Sequence, residues 1–200
     1  MKIICASQNY GKHLSEATSA SPVIFMKPDS ALLKNNKPFF IPSFADIIDC
    51  SLNIVFRICK LGKNISPRFA HRYYDAVAIG IDFTARNLQQ TLSEQGLPWE
   101  LSKSFDGSAA ISDFLPITTF THPLAIPSHL TINGTTMQQG NTSTTQHSVD
   151  DIIAYVSRFC TLKTGDLIFI STTQTATPVS LNDTVEGYIG EQKLLEIRIK

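Results

Sequence analysis

Apolar and polar positions along this chain mostly alternate or fall into short apolar runs. That is the period-two pattern of strands rather than the three-and-four spacing of helices. Residues 2–6 form a short apolar run read as a buried strand, and 23–26 form another, stopped by the turn signal Lys27-Pro28-Asp29. Prolines 38 and 42 hold 39–42 extended. The clearest alternation spans 46–57, with Ile48, Cys50, Leu52 and Ile54 on one face and Asp49, Ser51 and Asn53 on the other. Residues 76–81 are an apolar strand, which puts Asp82 at its C-terminal edge. From 111 to 139 short strands are expected, with Asn133-Gly134 as a type I′ hairpin turn between 130–132 and 136–138. Thr164-Gly165-Asp166 leads into a strand over 167–171, and the tail closes with a hairpin around 187–192 and an alternating strand over 193–200.

Helical spacing is confined to a few segments. A short helical stretch is expected over 9–18. Ser66-Pro67 opens a helix running to about Tyr74, and 84–95 is a helix closed by Gly96 and Pro98. Ser148, with Asp151 three residues on, caps a helix over 149–159 whose apolar stripe is Ile152, Ile153, Val156 and Phe159. The pattern therefore predicts a mainly β fold with a few short helices, in one domain over 1–200.

Composition narrows the function classes. The 17 basic and 17 acidic side chains cancel, and no basic run exceeds two residues, which argues against a nucleic-acid partner. No apolar run approaches a signal h-region or a membrane span, so neither a membrane nor a secreted location is expected, and the chain is read as cytoplasmic. Cys5, Cys50, Cys59 and Cys160 show no CxxC or zinc spacing and are read as free thiols. Charged residues are 17% of the chain, below the average of about 25%.

Five groups of residues could carry chemistry. Asn9-Tyr10-x-x-His13-x-x-Glu16 would place an imidazole and a carboxylate on one helix face, either a water-activating dyad or a surface ion pair. The face of Asp49, Ser51 and Asn53 is the second, and Asp82 with Arg86, Asn87 and Gln89 is the third. As a hard-metal site these offer few carboxylates. Lys103-Ser104-Phe105-Asp106-Gly107 is the fourth. Asn133-Gly134-x-x-x-Gln138-x-Gly140-Asn141-Thr142, with Ser171-Thr172-Thr173, is the fifth, and each of these last two reads alone as turn chemistry.

In order, these segments resemble the fumarylacetoacetate hydrolase family in its short form, which includes acylpyruvate hydrolases, oxaloacetate decarboxylases and 2-hydroxyhepta-2,4-diene-1,7-dioate isomerase-like proteins. Phe25-Met26-Lys27-Pro28 is similar to its F-x-K-P, residues 80–89 to its G-x-x-x-x-A-R-D-x-Q, Lys103–Gly107 to K-x-F-D-G and 133–142 to N-G-x-x-x-Q-x-G-N-T. The resemblance implies a mixed β-roll, a homodimer and a small 2-oxo acid as ligand. It implies Mg²⁺ or Mn²⁺ held by an E-x-E pair and the Asp at 82, with His13 and Glu16 activating water, Lys103 stabilising an enolate, and Arg86, Gln89 and Thr172 contacting substrate.

The departures fall on the metal. Alignment with the family's E-x-E puts Ser51 and Asn53 where both glutamates belong, and only Asp82 keeps its carboxylate. Asp49, on the same face, could substitute only after a register shift. Asn87 stands where the family has aspartate, and residues 170–177 retain one threonine of T-G-T-P-x-G-V-G and no glycine. The expectation is a family member with a degenerate metal site and lost or much reduced metal-dependent activity. The alternative is an active enzyme with a non-standard or metal-free site.

Overall fold

A computed structural model describes residues 1–9, 21–173 and 176–200. Its strands are β1 (Ile3–Ser7), β2 (Val23–Lys27), β3 (Leu32–Leu33), β4 (Ile48–Ile58), β5 (Tyr74–Ala85), β6 (Ala109–Ile111), β7 (Leu115–Pro116), β8 (Pro127–Ile132), β9 (Thr135–Asn141), β10 (Leu167–Ser171), β11 (Thr177–Val179), β12 (Thr184–Ile189) and β13 (Gln192–Arg198). The α-helices are α1 (Pro67–Ala70), α2 (Arg86–Glu94) and α3 (Val149–Val156).

One mixed sheet runs β2-β1-β10-β4-β5-β6-β3, with β11 added to β4 and β7 to β5. β1 and β10 pair in parallel although more than 150 residues separate them, while β4 and β5 form a long antiparallel pair. A second, antiparallel sheet runs β13-β12-β8-β9. The β8–β9 turn has the expected hairpin geometry, with φ of 51° at Asn133 and 78° at Gly134.

Alternation along β4 and β5 divides the core in two. Cys50, Leu52, Ile54, Ile79, Ile81 and Phe83 point into the larger cluster, which also takes Leu130, Val185 and Leu195 from the second sheet and Ile152, Ile153 and Val156 from α3. Val55 and Ala78 point the other way, into a smaller cluster with Ile3, Cys5, Phe25 and Phe169. Continued along both strands, that second face carries Asn53, Ser51 and Asp49 from β4 and Asp82 and Thr84 from β5.

Several boundaries differ from the sequence reading. β5 does not stop before Asp82 but continues to Ala85, because β4 offers partners throughout: Ser51 faces Asp82, Asp49 faces Thr84 and Ile48 faces Ala85. Asp82 therefore lies inside a strand, and α2 begins only at Arg86. α1 ends at Ala70, since Tyr74 already pairs with Ile58. α3 has the expected reciprocal Ser148–Asp151 cap but ends at Val156. There Ser157 is buried, its Oγ donating to the Ala154 carbonyl and accepting from the Ile65 N–H. Phe159 falls beyond the helix and is 66% exposed rather than part of its apolar stripe. The segment expected to be helical from Asn9 onward lies almost wholly outside the described residues.

Candidate active site

The polar face of β4 and β5 closes over a buried carboxylate. Asp82 Oδ1 is 2.5 Å from the Lys27 ammonium and Oδ2 is 3.1 Å from that of Lys103. Lys27 ends β2, has no side-chain exposure, and also donates to the Ser108 carbonyl at 2.8 Å and the Ser108 hydroxyl at 3.1 Å. An ammonium has three N–H donors, so these contacts saturate Lys27. Lys103 follows a short 3₁₀ turn at Glu100–Ser102, donates to Thr84 Oγ1 at 2.7 Å as well as to Asp82, and lies 5.0 Å from the Phe25 ring centre. One of its N–H groups is left for a ligand.

Burial by itself would raise the Asp82 carboxyl. Coulombic attraction to Lys27 and then Lys103, helped by their hydrogen bonds, outweighs it and holds the group below the usual carboxylate range. The nearby Cys50 thiol is pushed up to about 12, first by burial and then by Asp49, which makes it inert as a nucleophile.

Both positions aligned with the family's glutamates lie beside Asp82. Ser51 is its direct cross-strand partner, and Asn53 pairs with Gly80 on one side and with Ser171 of β10 on the other. Asn53 is buried, and its Nδ2 donates to the Ser51 carbonyl at 3.0 Å. Asp49 does not turn toward Asp82. It forms a two-point ion pair with Arg86, whose Nε lies 2.6 Å from one carboxylate oxygen while Nη2 binds the other. The register shift needed to make Asp49 a stand-in ligand is absent.

These residues do not fit Mg²⁺ or Mn²⁺. Hard dications require several anionic oxygens, whereas here the single carboxylate is already shared by two ammonium groups and its neighbours are neutral. Among the described residues no group of three or more His, Cys, Asp or Glu side chains could hold an ion.

The other sequence candidates are distributed unevenly. Arg86 lies at the start of α2 with Gln89, half-buried, one turn on. Thr172 is fully buried and its hydroxyl lies 3.2 Å from Ser128 Oγ of β8, so it faces the second sheet, while Ser171 takes the place opposite Asn53. Its expected role as a substrate contact stays with the family resemblance; here its buried hydroxyl is engaged with β8. Asn87 clamps the preceding loop, donating to Asp46 Oδ2 and accepting from the Asp46 N–H. His13 and Glu16 lie outside the described residues. Asn9, just before them, is fixed by paired bonds to the His147 backbone.

Sequence reasoning missed Lys27, although a lysine closing an apolar strand before proline was a usable signal, because lysines are rarely buried without a partner. It also missed the structural role of Gln138, which accepts from the Leu52 N–H at 2.8 Å and donates to the Cys50 carbonyl at 2.9 Å, tying β9 to β4 beneath the site.

Residues 2–200 match the family model for the fumarylacetoacetate (FAA) hydrolase C-terminal domain. The chain belongs to this family. The mitochondrial oxaloacetate tautomerase of Homo sapiens is 34% identical over 190 residues, covering 94% of this chain and 86% of that protein. An oxaloacetate tautomerase of Escherichia coli is 32% identical over 186 residues, covering 91% and 85%. Among solved structures, the fumarylpyruvate hydrolase of Pseudomonas aeruginosa in complex with Mn²⁺ and pyruvate superposes with a TM-score of 0.90 at 28% identity, covering all of this chain and 89% of that one. The mixed β-roll implied by the motifs is thus the fold of the fumarylacetoacetate hydrolase family. The relatives and neighbours act on small oxo acids.

Proposed function

We propose that this member binds the carboxylate end of a small 2-oxo acid without a divalent ion, and that the metal-dependent reaction of its relatives is lost or much reduced. The observation that carries this reading is Asp82 held between Lys27 and Lys103. Three cations, Lys27, Lys103 and Arg86, face two carboxylates, Asp82 and Asp49, so the described site has a surplus positive charge without any ion. An anionic oxygen placed beside Lys103 would take up its remaining N–H, and Arg86, 44% exposed at its side chain, and Gln89 would border the ligand. The Mn²⁺ and pyruvate in the Pseudomonas protein support the ligand class and mark the difference in cation.

A second reading rests on the same Lys103 N–H: an ammonium beside a developing enolate would lower the barrier to keto–enol interconversion, with His13 and Glu16 as the proton-transfer pair. Calorimetric titration with oxalate in the presence of EDTA tests the binding proposal, and the ultraviolet absorbance of enol oxaloacetate tests the proton transfer. Oxalate binding that survives EDTA and vanishes in Lys103→Met is expected. Turnover that requires Mg²⁺ or Mn²⁺, with metal binding tighter than about 1 mM, overturns the proposal. A homodimer and a cytoplasmic location belong to the same reading; the four free cysteines support a reducing compartment, although the human relative is mitochondrial. Light scattering of the purified protein tests the dimer.

A further inference from the structure

The neutral net charge conceals a polarised surface. No aspartate or glutamate occurs between Cys50 and Tyr74, a stretch that holds Lys60, Lys63, Arg68 and Arg72. The fold brings Arg158 and Lys163 to the same place. Gly62 and Leu162 exchange backbone hydrogen bonds, the Asn64 N–H donates to the Ser157 carbonyl, and Lys63 Nζ donates to the Arg158 carbonyl at 3.2 Å. All six cations are exposed, and none forms an ion pair among the described residues. Of the nearby acids, Asp75 pairs with Arg57, Asp166 with Lys2 and Asp151 caps α3, while Asp150, half-buried beside Tyr74 and His71, forms no ion pair among the described residues.

Three large apolar side chains stand among these cations. Leu61 and Phe159 are 66% exposed and Phe69 is 42% exposed. Leu61 and Phe159 are on connections outside the long strands, and Phe69 is on the single turn of α1. Leu61 and Phe69 lie beyond the end of the β4–β5 pair remote from Asp82, and Phe159, beside Arg158, also borders a cavity with Ile24, Met26 and Tyr155. Ile58 is seven residues along β4 from Ser51, which at about 3.3 Å per residue is roughly 23 Å. This surface is therefore separate from the oxo-acid site.

We propose that this end of the molecule docks on an anionic phospholipid bilayer, with Leu61, Phe69 and Phe159 entering the headgroup boundary and the six cations contacting lipid phosphates. Protruding apolar tips within a field of unpaired cations are the two elements that reversible attachment to a charged membrane requires. A nucleic acid fits less well. The rings that could stack on bases are already attended by guanidinium groups, Arg68 and Arg72 at 5.4 and 5.1 Å from the Phe69 centre and Arg158 at 5.9 Å from that of Phe159. Leu61 would meet only solvent in such a complex. Attachment here requires no membrane-spanning segment, and no helix among the described residues is long and apolar enough to cross one.

Co-sedimentation of the full chain with vesicles of phosphatidylcholine, alone or with about 30 mol% phosphatidylglycerol, tests the proposal. Binding to the anionic vesicles only, weakening as salt rises, is expected. The triple variant Lys60→Ser/Lys63→Ser/Arg68→Ser should weaken partitioning roughly tenfold or more, and Leu61→Asn/Phe159→Asn should weaken it several-fold at unchanged charge. Lys34→Ser/Lys37→Ser, exposed lysines outside the patch, should leave it unchanged. Because every substituted side chain is exposed, equal melting temperatures will establish that the variants are folded. Absence of binding to anionic vesicles at low salt overturns the proposal. So does a loss in the Lys34/Lys37 variant equal to that in the patch variant. Indifference to Leu61→Asn/Phe159→Asn, with equally tight binding of a single-stranded oligonucleotide, would make the surface a general polyanion site and overturns it as well.

Discussion

Ser51 and Asp82 face each other across the paired strands β4 and β5, so a neutral hydroxyl stands directly beside the buried carboxylate. The charge that balances Asp82 comes instead from Lys27 and Lys103. If loss of ligands is the reason for the non-fit, Ser51→Glu/Asn53→Glu should restore metal binding. Titration with Mn²⁺ should give no binding tighter than about 1 mM in the unmodified chain and a gain of at least roughly tenfold in the double variant. A double variant that still binds no metal would shift attention to the altered segment around 170–177.

The Lys27–Asp82 pair also has a stability consequence. Lys27→Met leaves a buried carboxylate with one cation in place of two and should destabilise the fold by about 3–5 kcal/mol in chemical denaturation. Lys27→Met/Asp82→Leu removes both charges, and it should recover a large part of that loss. If the double variant is no more stable than the single one, the penalty does not come from an uncompensated charge.

Gln138 offers a test of how the two sheets are joined. Gln138→Leu strands the Leu52 N–H and the Cys50 carbonyl in an apolar interior, at about 1–3 kcal/mol for each group left without a partner. Gln138→Glu keeps an acceptor for the Leu52 N–H and, at a pH where the glutamate is neutral, an O–H that can donate to the Cys50 carbonyl, so there it should melt close to the unmodified chain and above the leucine variant, and it should lose stability as pH rises and the buried carboxyl ionises.

Asp166 sets an acid limit on stability. It is buried and accepts from the Lys2 N–H at 2.8 Å, the Lys2 ammonium at 2.5 Å and the Lys163 N–H at 2.8 Å. Burial raises its carboxyl, but these hydrogen bonds and the Lys2 charge outweigh burial and hold it below the usual range. A carboxyl depressed in the folded state contributes stability that is fully present above its unfolded value of about 3.9 and lost as pH falls through the folded value. Melting temperature against pH should therefore drop on the acid side, and Asp166→Asn should flatten that drop while lowering stability near neutrality by about 1.5–3 kcal/mol.

The local elements were legible in the sequence because their signals are local. The strand over 167–171, the Asn133-Gly134 turn and the Ser148–Asp151 cap each depend on residues within a few positions of one another. The ends of β5 and α1 were not legible, because β4 decides them from outside: pairing carries β5 past Asp82 and starts it at Tyr74. For the same reason Phe159 was misplaced, since Ser157 ends α3 through the Ile65 N–H far away in the chain.

By itself the sequence determined the family motifs, the presence of Ser51 and Asn53 where the resemblance aligns two glutamates, and the alternation that puts Asp49, Ser51 and Asn53 on one face. Only the tertiary structure decided what those polar residues meet. Lys27, Asp82 and Lys103 come from three separate segments, and a buried carboxylate takes whichever cations folding brings within a few ångströms. It likewise joined the cations of 60–72 to Arg158 and Lys163, giving a chain of zero net charge one strongly positive end.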